Sequence, residues 1–382
     1  MSPNPNLLSI IFLLGAAQGF FLIFLLCKKK VNRQANRILA LLIFTFSYPI
    51  AAFAFWYNDY LFVFLLTKLY HFYATIDPFP LLFGPLFFLY ARVLASNSGI
   101  LRKRDLLHFL PAAAFTIFLL PDFLESAEFK IARLIALRTE TADVGLTALP
   151  VLLYNVSYLA WTTHILSGHQ KNIKDIFSSI EKVNLRWLRQ LTIIFAAVWG
   201  AFIVLMVAEW IGYRLIYTIE PGLLIVMAIV VYIIGYYGQS QPKIFEESEP
   251  ENMEQRKYSH SGLDREKNQQ YMKKLTKAME KDHLYQNGGL TLSELSKELA
   301  ISPNHLSQVI NAGLQKNFYD FVNEYRIEAA RKMLHTDESN KLTILAIAYE
   351  VGFNSKSAFN TAFKTYTNMT PSAYRNLAAK AA

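Results

Sequence analysis

Long apolar runs without internal charge dominate the first 240 residues of this chain. The run Leu7–Cys27 can cross a membrane as a helix, because a spanning helix needs about 20 mostly apolar residues. Residues 241–382 hold no such run and mix charged with apolar residues in ordinary proportions. The sequence therefore predicts an all-α chain in which a membrane module precedes a soluble module.

Seven segments of the first module are predicted to span the membrane as a helical bundle. The third is short and contains Gly84-Pro85, and the neighbouring apolar segment Leu61–Tyr73 is either an interfacial helix or an extension of that span. The predicted spans are Leu7–Cys27, Ile38–Tyr57, Leu81–Leu94, Leu106–Leu124, Leu146–Leu166, Leu191–Trp210 and Ile216–Tyr237.

The distribution of Lys and Arg predicts the orientation of these spans, because cytoplasmic loops carry an excess of both residues. With seven spans and the N-terminus outside, the inner loops are residues 28–37, 92–105 and 167–190. They carry 14 Lys and Arg, against five in the outer segments. We therefore expect a multi-pass membrane protein with its N-terminus outside and its C-terminal module in the cytoplasm.

Three polar residues in or near the spans, Asn155, Glu209 and Glu220, are candidates for binding a signal ligand of unknown identity. Polar groups inside a membrane are costly and often functional. The alternative is that they form hydrogen bonds between helices, or lie close to water at the membrane surface. Both interpretations stay open at this stage.

The segment Ile173–Trp187 is amphipathic, with apolar residues at roughly helical spacing among charged ones. One interpretation is an interfacial helix on the inner leaflet. The other is a contact surface for the soluble module. The pattern itself favours neither.

A polar stretch without apolar periodicity separates the two modules. Its part Glu246–Glu254 holds five Glu and a proline, which is typical of a flexible linker. The predicted domains are a sensory and anchoring membrane domain at 1–240, a flexible acidic linker at 241–266 and a soluble domain at 267–382.

The soluble module contains two predicted helix-turn-helix motifs joined by a long helix, Phe318–Leu334. In the first motif, Thr291 and Glu294 have the spacing of a capping box, and Ser302-Pro303 starts the second helix. In the second motif, Thr343 and Ser355 are placed to cap the two helices. The long helix can act as a rigid strut between the motifs.

These motifs resemble the AraC/XylS family of bacterial transcription regulators over roughly residues 267–378. The resemblance implies two recognition helices, Pro303–Ala312 and Ser355–Tyr366, that enter successive major-groove segments of double-stranded DNA about one turn apart. It rests on Ala346–Tyr366 (AIAYEVGFNSKSAFNTAFKTY), Thr370-Pro371, Tyr374-Arg375, Leu306-Ser307, Tyr325-Arg326 and Ala329-Ala330.

The outward positions of the two recognition helices are the predicted DNA contacts. Asn and Gln can pair with adenine, whereas Lys favours guanine or phosphate. We expect Gln308, Lys356 and Asn360 to touch bases. Ser355 and Thr343, at helix starts, are better suited to phosphate. The full set is Asn304, His305, Ser307 and Gln308 in the first helix, and Ser355, Lys356, Ser357, Asn360, Thr361 and Lys364 in the second.

The charge of the soluble module bears on its affinity for DNA. From Lys267 onward the chain carries 15 Lys and Arg against 10 Asp and Glu, and the first recognition helix holds no Lys or Arg. The first helix is therefore only modestly equipped for DNA. Affinity from phosphate neutralisation is expected to be moderate for one copy. A homodimer or paired DNA sites would raise it.

Enzymatic and metal functions find little support in the sequence. The single cysteine, Cys27, can form neither an intrachain disulfide nor a structural zinc site. The sequence has no glycine-rich phosphate loop, and His283, His305 and His335 lack ligand spacing. We therefore predict no catalytic site, metal or cofactor.

The function predicted from these features is that of a regulator anchored in the inner membrane of a bacterium. It would bind double-stranded DNA and membrane lipid, and would respond to a signal in or across the membrane. The alternative is a transporter or channel with a regulatory cytoplasmic helical domain, which would need a polar path through the spans.

Overall fold

The structure, a computed structural model, is built from helices. It describes residues 5–72, 75, 77–96, 99–139, 148–213, 216–241, 244, 265–335 and 342–381. Within these residues the extended structure is limited to one isolated antiparallel bridge, between Phe177 and Thr291. The all-α expectation is confirmed for the described chain.

The chain forms two compact units. The first comprises Met1–Ser167 and Leu185–Glu249, and the second comprises Gly168–Asn184 and Pro250–Ala382. The second unit thus includes a short piece of chain that lies, in sequence, between two helices of the apolar half. The predicted linker 241–266 lies almost wholly outside the described residues.

The helices of the apolar half vary widely in length. In chain order they are α1 (Pro5–Lys28), α2 (Arg33–Tyr57), α3 (Asp59–Phe64), α4 (Phe79–Ala95), α5 (Leu110–Phe118), α6 (Leu120–Leu124), α7 (Ala127–Thr139), α8 (Ala148–Lys174), α9 (Arg186–Trp210) and α10 (Ile216–Ser240).

Four of these helices, α1, α2, α9 and α10, are long and apolar enough to cross a membrane. They contain the predicted first, second, sixth and seventh spans. The predicted third span lies in α4, which is apolar but only 17 residues long. The predicted fifth span overlaps α8, a helix of 27 residues that is not among those four. A count of seven spans is therefore not established.

The predicted fourth span, Leu106–Leu124, is not one continuous helix. A 3₁₀ helix at Lys103–Phe109 leads into α5, and α5 ends before α6 begins. Pro111 and Pro121 stand in the first turns of α5 and α6. Each proline lacks the N–H that a continuing helix needs, which favours a new helix start at these positions.

The amphipathic segment Ile173–Trp187 does not form the interfacial helix that its periodicity allowed. α8 ends at Lys174 and α9 begins at Arg186. The chain between them makes turns and the isolated bridge. Since its residues up to Asn184 belong to the second unit, the structure favours the interpretation as a contact surface.

Small residues allow α1, α2 and α10 to pack closely in the first unit. A Cβ atom added at Gly15 would lie 2.9 Å from Cβ of Ala228, and one at Gly19 would lie 2.8 Å from Cβ of Ser47. Helices that associate in lipid are held together by such close packing rather than by the hydrophobic effect. The glycines therefore bring the predicted first, second and seventh spans together.

The second unit contains α11 (Arg265–Glu280), α12 (Leu292–Glu298), α13 (Pro303–Gln308), α14 (Phe318–His335), α15 (Ile344–Glu350), α16 (Lys356–Thr367) and α17 (Pro371–Ala381). The capping box of Thr291 and Glu294 is confirmed, since each side chain accepts a hydrogen bond from the other residue's backbone N–H. Ser302, Thr343 and Ser355 also cap their helices as predicted.

Helix α14 joins two separate hydrophobic cores. Its first half contributes Phe321 and Val322 to a core around α12 and α13. Its second half contributes Ile327 and Ala330 to a core around α15 and α16. The strut predicted from the sequence is thus confirmed, with each helix-turn-helix motif built on one half of α14.

Replacing Gly19 with alanine is expected to destabilise the first unit by about 1–3 kcal/mol, because the new methyl group overfills the contact with Ser47. Gly200→Ala is the matched control. A Cβ there meets no described atom within 4 Å, and alanine is the better helix former. Thermal unfolding of the detergent-solubilised protein measures both, and equal melting temperatures would contradict this packing.

Candidate nucleic-acid interface

The first recognition helix is short, and its N-terminus is capped. Ser302 accepts a hydrogen bond from the N–H of His305 at 3.2 Å, and Pro303 occupies the first turn. After α13 the helix widens into a π-turn over Val309–Gly313. Leu306, Val309 and Ile310 are buried in the first core. The predicted DNA contacts occupy other positions of the same helix.

The four predicted contact residues of α13 are not equally available. Asn304 is exposed, whereas His305, Ser307 and Gln308 are half-buried. The His305 ring stacks on Tyr271 of α11, and the Ser307 hydroxyl accepts a hydrogen bond from Asn311. Both residues therefore have structural contacts of their own, in addition to a surface that DNA could reach.

The second recognition helix presents a more polar surface. Lys356, Ser357, Thr361 and Lys364 are all exposed, and Phe359 and Phe363 are buried in the second core on the other side. Ser355 caps the helix by accepting from the N–H of Ala358 at 3.1 Å. The predicted contacts of α16 therefore lie together on the side that faces away from the core.

Asn360 lies at the edge of this surface. The residue is half-buried, and its Oδ1 atom is buried without a hydrogen-bond partner in the part of the chain that the structure describes. An unsatisfied acceptor is costly when it is buried. Because this atom is buried, the Asn360 side chain would have to turn outward before it could contact a base.

Positive charge is concentrated on α16 rather than on α13. Lys356 and Lys364 form no ion pair with any described residue, whereas Lys316, which follows the π-turn, pairs with Glu324. The first recognition helix contributes no cation, as its sequence predicts. Of the two predicted recognition helices, α16 is therefore the one that carries lysines able to neutralise phosphate.

α16 is also fixed to the strut. The Tyr366 hydroxyl donates to the backbone carbonyl of Asp320 in α14 at 2.8 Å. Because α13 packs on the same half of α14 through the first core, this hydrogen bond ties the second recognition helix to the first motif.

A buried arginine holds the second unit together. Arg326 of α14 is fully buried and donates to the carbonyls of Tyr285 and Asn287, each at 2.8 Å. It also donates to Oδ1 of Asn323 at 3.2 Å, and to the carbonyl and hydroxyl of Ser178 at 3.0 Å each. Burial lowers the pKa of Arg326 to about 10, so the guanidinium stays charged at neutral pH.

Sequence reasoning missed three residues next to the recognition helices. Asn354, immediately before the cap of α16, donates to the carbonyl of Gly288 and to the hydroxyl of Ser179. Ser178 and Ser179 precede α9 and had no assigned role. Arg326, the partner of Ser178, did carry a local signal, since it is a charged residue within the apolar face of α14 and belongs to the Tyr325-Arg326 pair in the family resemblance.

Asn155 of α8 has a clear structural role in the first unit. Its amide donates to the carbonyl of Pro80 at 3.0 Å, and its Oδ1 accepts from the N–H of Gly84 at 3.1 Å. These two backbone groups lie four residues apart, the spacing that pairs in a regular helix. The contacts match the alternative interpretation, hydrogen bonding between helices.

The two glutamates of the apolar half have different surroundings. Glu220 accepts from the Tyr57 hydroxyl at 3.5 Å. Glu209 is half-buried, and its Oε2 atom has no hydrogen-bond partner among the described residues. The described contacts do not bring Asn155 together with either glutamate.

Residues 295–377 match the family model of a helix-turn-helix domain. An HTH-type transcriptional regulator of Staphylococcus aureus (strain COL) is 41% identical over 87 residues, which cover 22% of this chain and 11% of the relative. An HTH-type transcriptional regulator of Bacillus subtilis (strain 168) is 32% identical over 95 residues, which cover 25% of this chain and 32% of the relative.

A solved structure, the C-terminal domain of AraT, a response regulator from Geobacillus stearothermophilus, is 29% identical. It covers 30% of this chain and 83% of the solved chain, but a TM-score of 0.23 establishes no shared arrangement. The matched segment spans only about a tenth to a third of the sequence relatives named above. The family model and the sequence relatives identify residues 295–377 as an AraC-type helix-turn-helix domain.

The double variant Lys356→Ala/Lys364→Ala is expected to weaken binding to duplex DNA of any sequence. The magnitude of the slope of log K against log salt should fall by about 1–2, because each lost cation beside the duplex reduces phosphate neutralisation by about 0.9, whether its ammonium lies against a base or a phosphate. Fluorescence anisotropy of the detergent-solubilised protein with a labelled duplex measures this slope. Lys273→Ala/Lys277→Ala in α11 removes the same charge from exposed positions and is the control. Equal slopes for the two variants would contradict this interface.

Proposed function

We propose that this protein is a membrane-anchored transcription regulator that binds specific DNA sequences through its two helix-turn-helix motifs. The observation that carries the proposal is the pair of capped recognition helices, α13 and α16, built on opposite halves of one rigid strut. The same chain holds four helices able to cross a membrane. An anchored DNA-binding domain requires both features.

In this proposal the two recognition helices divide the work. Asn304 and Gln308 of α13, with Lys356 and Asn360 of α16, read base edges in successive major-groove segments. Ser355, Ser357, Thr361 and Lys364 contact phosphates and set the register. His305 and Ser307 complete the surface of the first helix.

The membrane half is proposed to have seven spans, with the N-terminus outside and the C-terminal domain in the cytoplasm of a bacterial cell. The bias of Lys and Arg toward the proposed inner loops supports this orientation. Lipid is then a partner of the exposed apolar faces of α1 and α9. A homodimer would supply the affinity that the modest charge of one domain lacks.

The signal is proposed to act on the membrane half. Glu209, whose Oε2 is buried and unpaired among the described residues, is the best placed of the three polar candidates to meet a ligand. Glu220 is the second candidate, since it accepts one long hydrogen bond from Tyr57. Asn155 belongs to the same proposed set, although its amide is already engaged by backbone.

Chromatin pull-down with sequencing on intact cells tests the proposed function. Tagged wild-type protein is expected to enrich discrete DNA sites, and Lys356→Ala/Asn360→Ala is expected to lose them because base contacts specify the sites. Membrane fractionation of the same cells shows that both proteins are present and anchored. Wild-type protein in the membrane fraction with no site-specific enrichment would contradict the proposal, as would enrichment unchanged in the variant.

Reporter fusions at the two ends of the chain test the proposed topology. Seven spans place the termini on opposite sides of the membrane, whereas four spans place them on the same side. A cytoplasm-active fluorescent reporter is expected to work at the C-terminus, and a periplasm-active phosphatase at the N-terminus. If the N-terminal phosphatase is inactive while the C-terminal reporter is active, both termini lie in the cytoplasm. The number of spans is then even, which would contradict seven.

A further inference from the structure

The ten residues 175–184, called here the docking segment, connect α8 to the chain before α9 and belong to the second unit. The segment pairs with backbone just before α12. The N–H of Ser178 donates to the carbonyl of Leu290 at 3.1 Å, and the N–H of Leu292 donates to the carbonyl of Ile176 at 2.8 Å. Residues 176–178 thus pair through one isolated bridge with residues 290–292, at the start of the first helix-turn-helix motif.

Side chains reinforce this pairing. Ile173 and Ile176 are buried, and Ser178 is only 1% exposed. The hydroxyl and carbonyl of Ser178 accept two of the five hydrogen bonds of Arg326. A charge buried in protein needs such partners, because an unpaired buried charge is strongly destabilising. Ser178 therefore belongs to the set of residues that bind the Arg326 guanidinium, called here the arginine site.

The docking segment also reaches the second motif. The Ser179 hydroxyl accepts a hydrogen bond from Asn354 at 2.8 Å, and the same amide donates to the carbonyl of Gly288 at 2.7 Å. Asn354 is followed directly by Ser355, the cap of α16. One short segment thus touches the turn before α12, the strut α14 and the start of the second recognition helix.

We propose that the edge at Leu290–Leu292, with Arg326 and Asn354, is an interaction surface whose partner is the chain's own docking segment, and that docking sets the relative positions of the two recognition helices for DNA. This inference rests on the proposed function, since it concerns how well the domain binds duplex DNA. Changes in the membrane half reach the DNA-binding domain through the segment between α8 and α9.

The contacts favour a role that supports DNA binding rather than one that blocks it. Ser178 and Ser179 bond Arg326, the backbone of Leu290, Asn354 and, within the segment itself, Glu181. Within the described chain none of these hydrogen bonds involves the exposed residues of α16. If the docking segment left this surface, Arg326 would lose two hydrogen-bond acceptors and Asn354 would lose one. Both losses loosen the junction between the motifs.

A disulfide provides a direct test of docking. Phe177 and Thr291 form the non-hydrogen-bonded pair of the bridge, because the flanking residues make the hydrogen bonds. Such pairs have Cα atoms about 4.5 Å apart, within the range that a disulfide spans. In the full chain with Cys27→Ser, the pair Phe177→Cys/Thr291→Cys is expected to cross-link on oxidation, detected by mass spectrometry. Absence of the cross-link would overturn docking.

Ser178→Pro tests the effect on DNA. The variant removes the N–H that bonds Leu290 and the hydroxyl that bonds Arg326. Affinity of the full-length protein for a random-sequence duplex of about 30 base pairs is expected to fall about tenfold, the effect of two lost hydrogen bonds. Lys182→Ala, at an exposed position of the same segment, should bind as wild type.

The combined variant separates loss of docking from loss of folding. Adding the oxidised Phe177→Cys/Thr291→Cys disulfide to Ser178→Pro should restore the affinity, and reduction should remove it again, because the covalent bond replaces the docking contacts. Unchanged binding in Ser178→Pro, or no rescue on oxidation, would overturn the inference. If instead the disulfide forms but wild-type protein binds no duplex at all, the proposed function itself has failed.

Discussion

The buried guanidinium of Arg326 is the interaction on which the second unit depends. Its five acceptors come from the turn at Tyr285 and Asn287, from Asn323 on the same helix, and from Ser178. Withdrawing any one leaves a buried donor unsatisfied, which costs about 1–3 kcal/mol and more for a charged group. The arginine therefore favours a single arrangement of turn, strut and docking segment.

That arrangement matters because the recognition helices are short. α13 is six residues long before its π-turn and α16 is twelve, so neither has much stability of its own. Each helix depends on its cap and on its half of α14. Two short helices can meet two successive groove segments only if their separation is fixed. The strut, the Tyr366 hydrogen bond and the arginine site supply that rigidity.

The apolar half shows what local sequence pattern can predict and what it cannot. Apolar length predicted α1, α2, α9 and α10 as helices able to cross a membrane, because backbone in lipid must satisfy its own hydrogen bonds. The same pattern predicted a single span where the chain forms a 3₁₀ turn, α5 and α6. Hydropathy does not distinguish a continuous helix from one that restarts at Pro111 and Pro121. The sequence made Asn155 a candidate for binding a ligand. The tertiary structure shows instead that its amide bonds the backbone of Pro80 and Gly84.

The sequence alone determined the helical class, the caps at Thr291, Ser302, Thr343 and Ser355, the strut and the outward residues of α16, because periodicity and capping act over a few residues. Tertiary structure decided the place of residues 175–184, the availability of His305 and Asn360, and the partners of Arg326. Ser178 and Arg326 are 148 positions apart, and much of their contact uses backbone groups. Backbone N–H and C=O groups are nearly identical in every residue type, so such pairing leaves no mark in the local sequence.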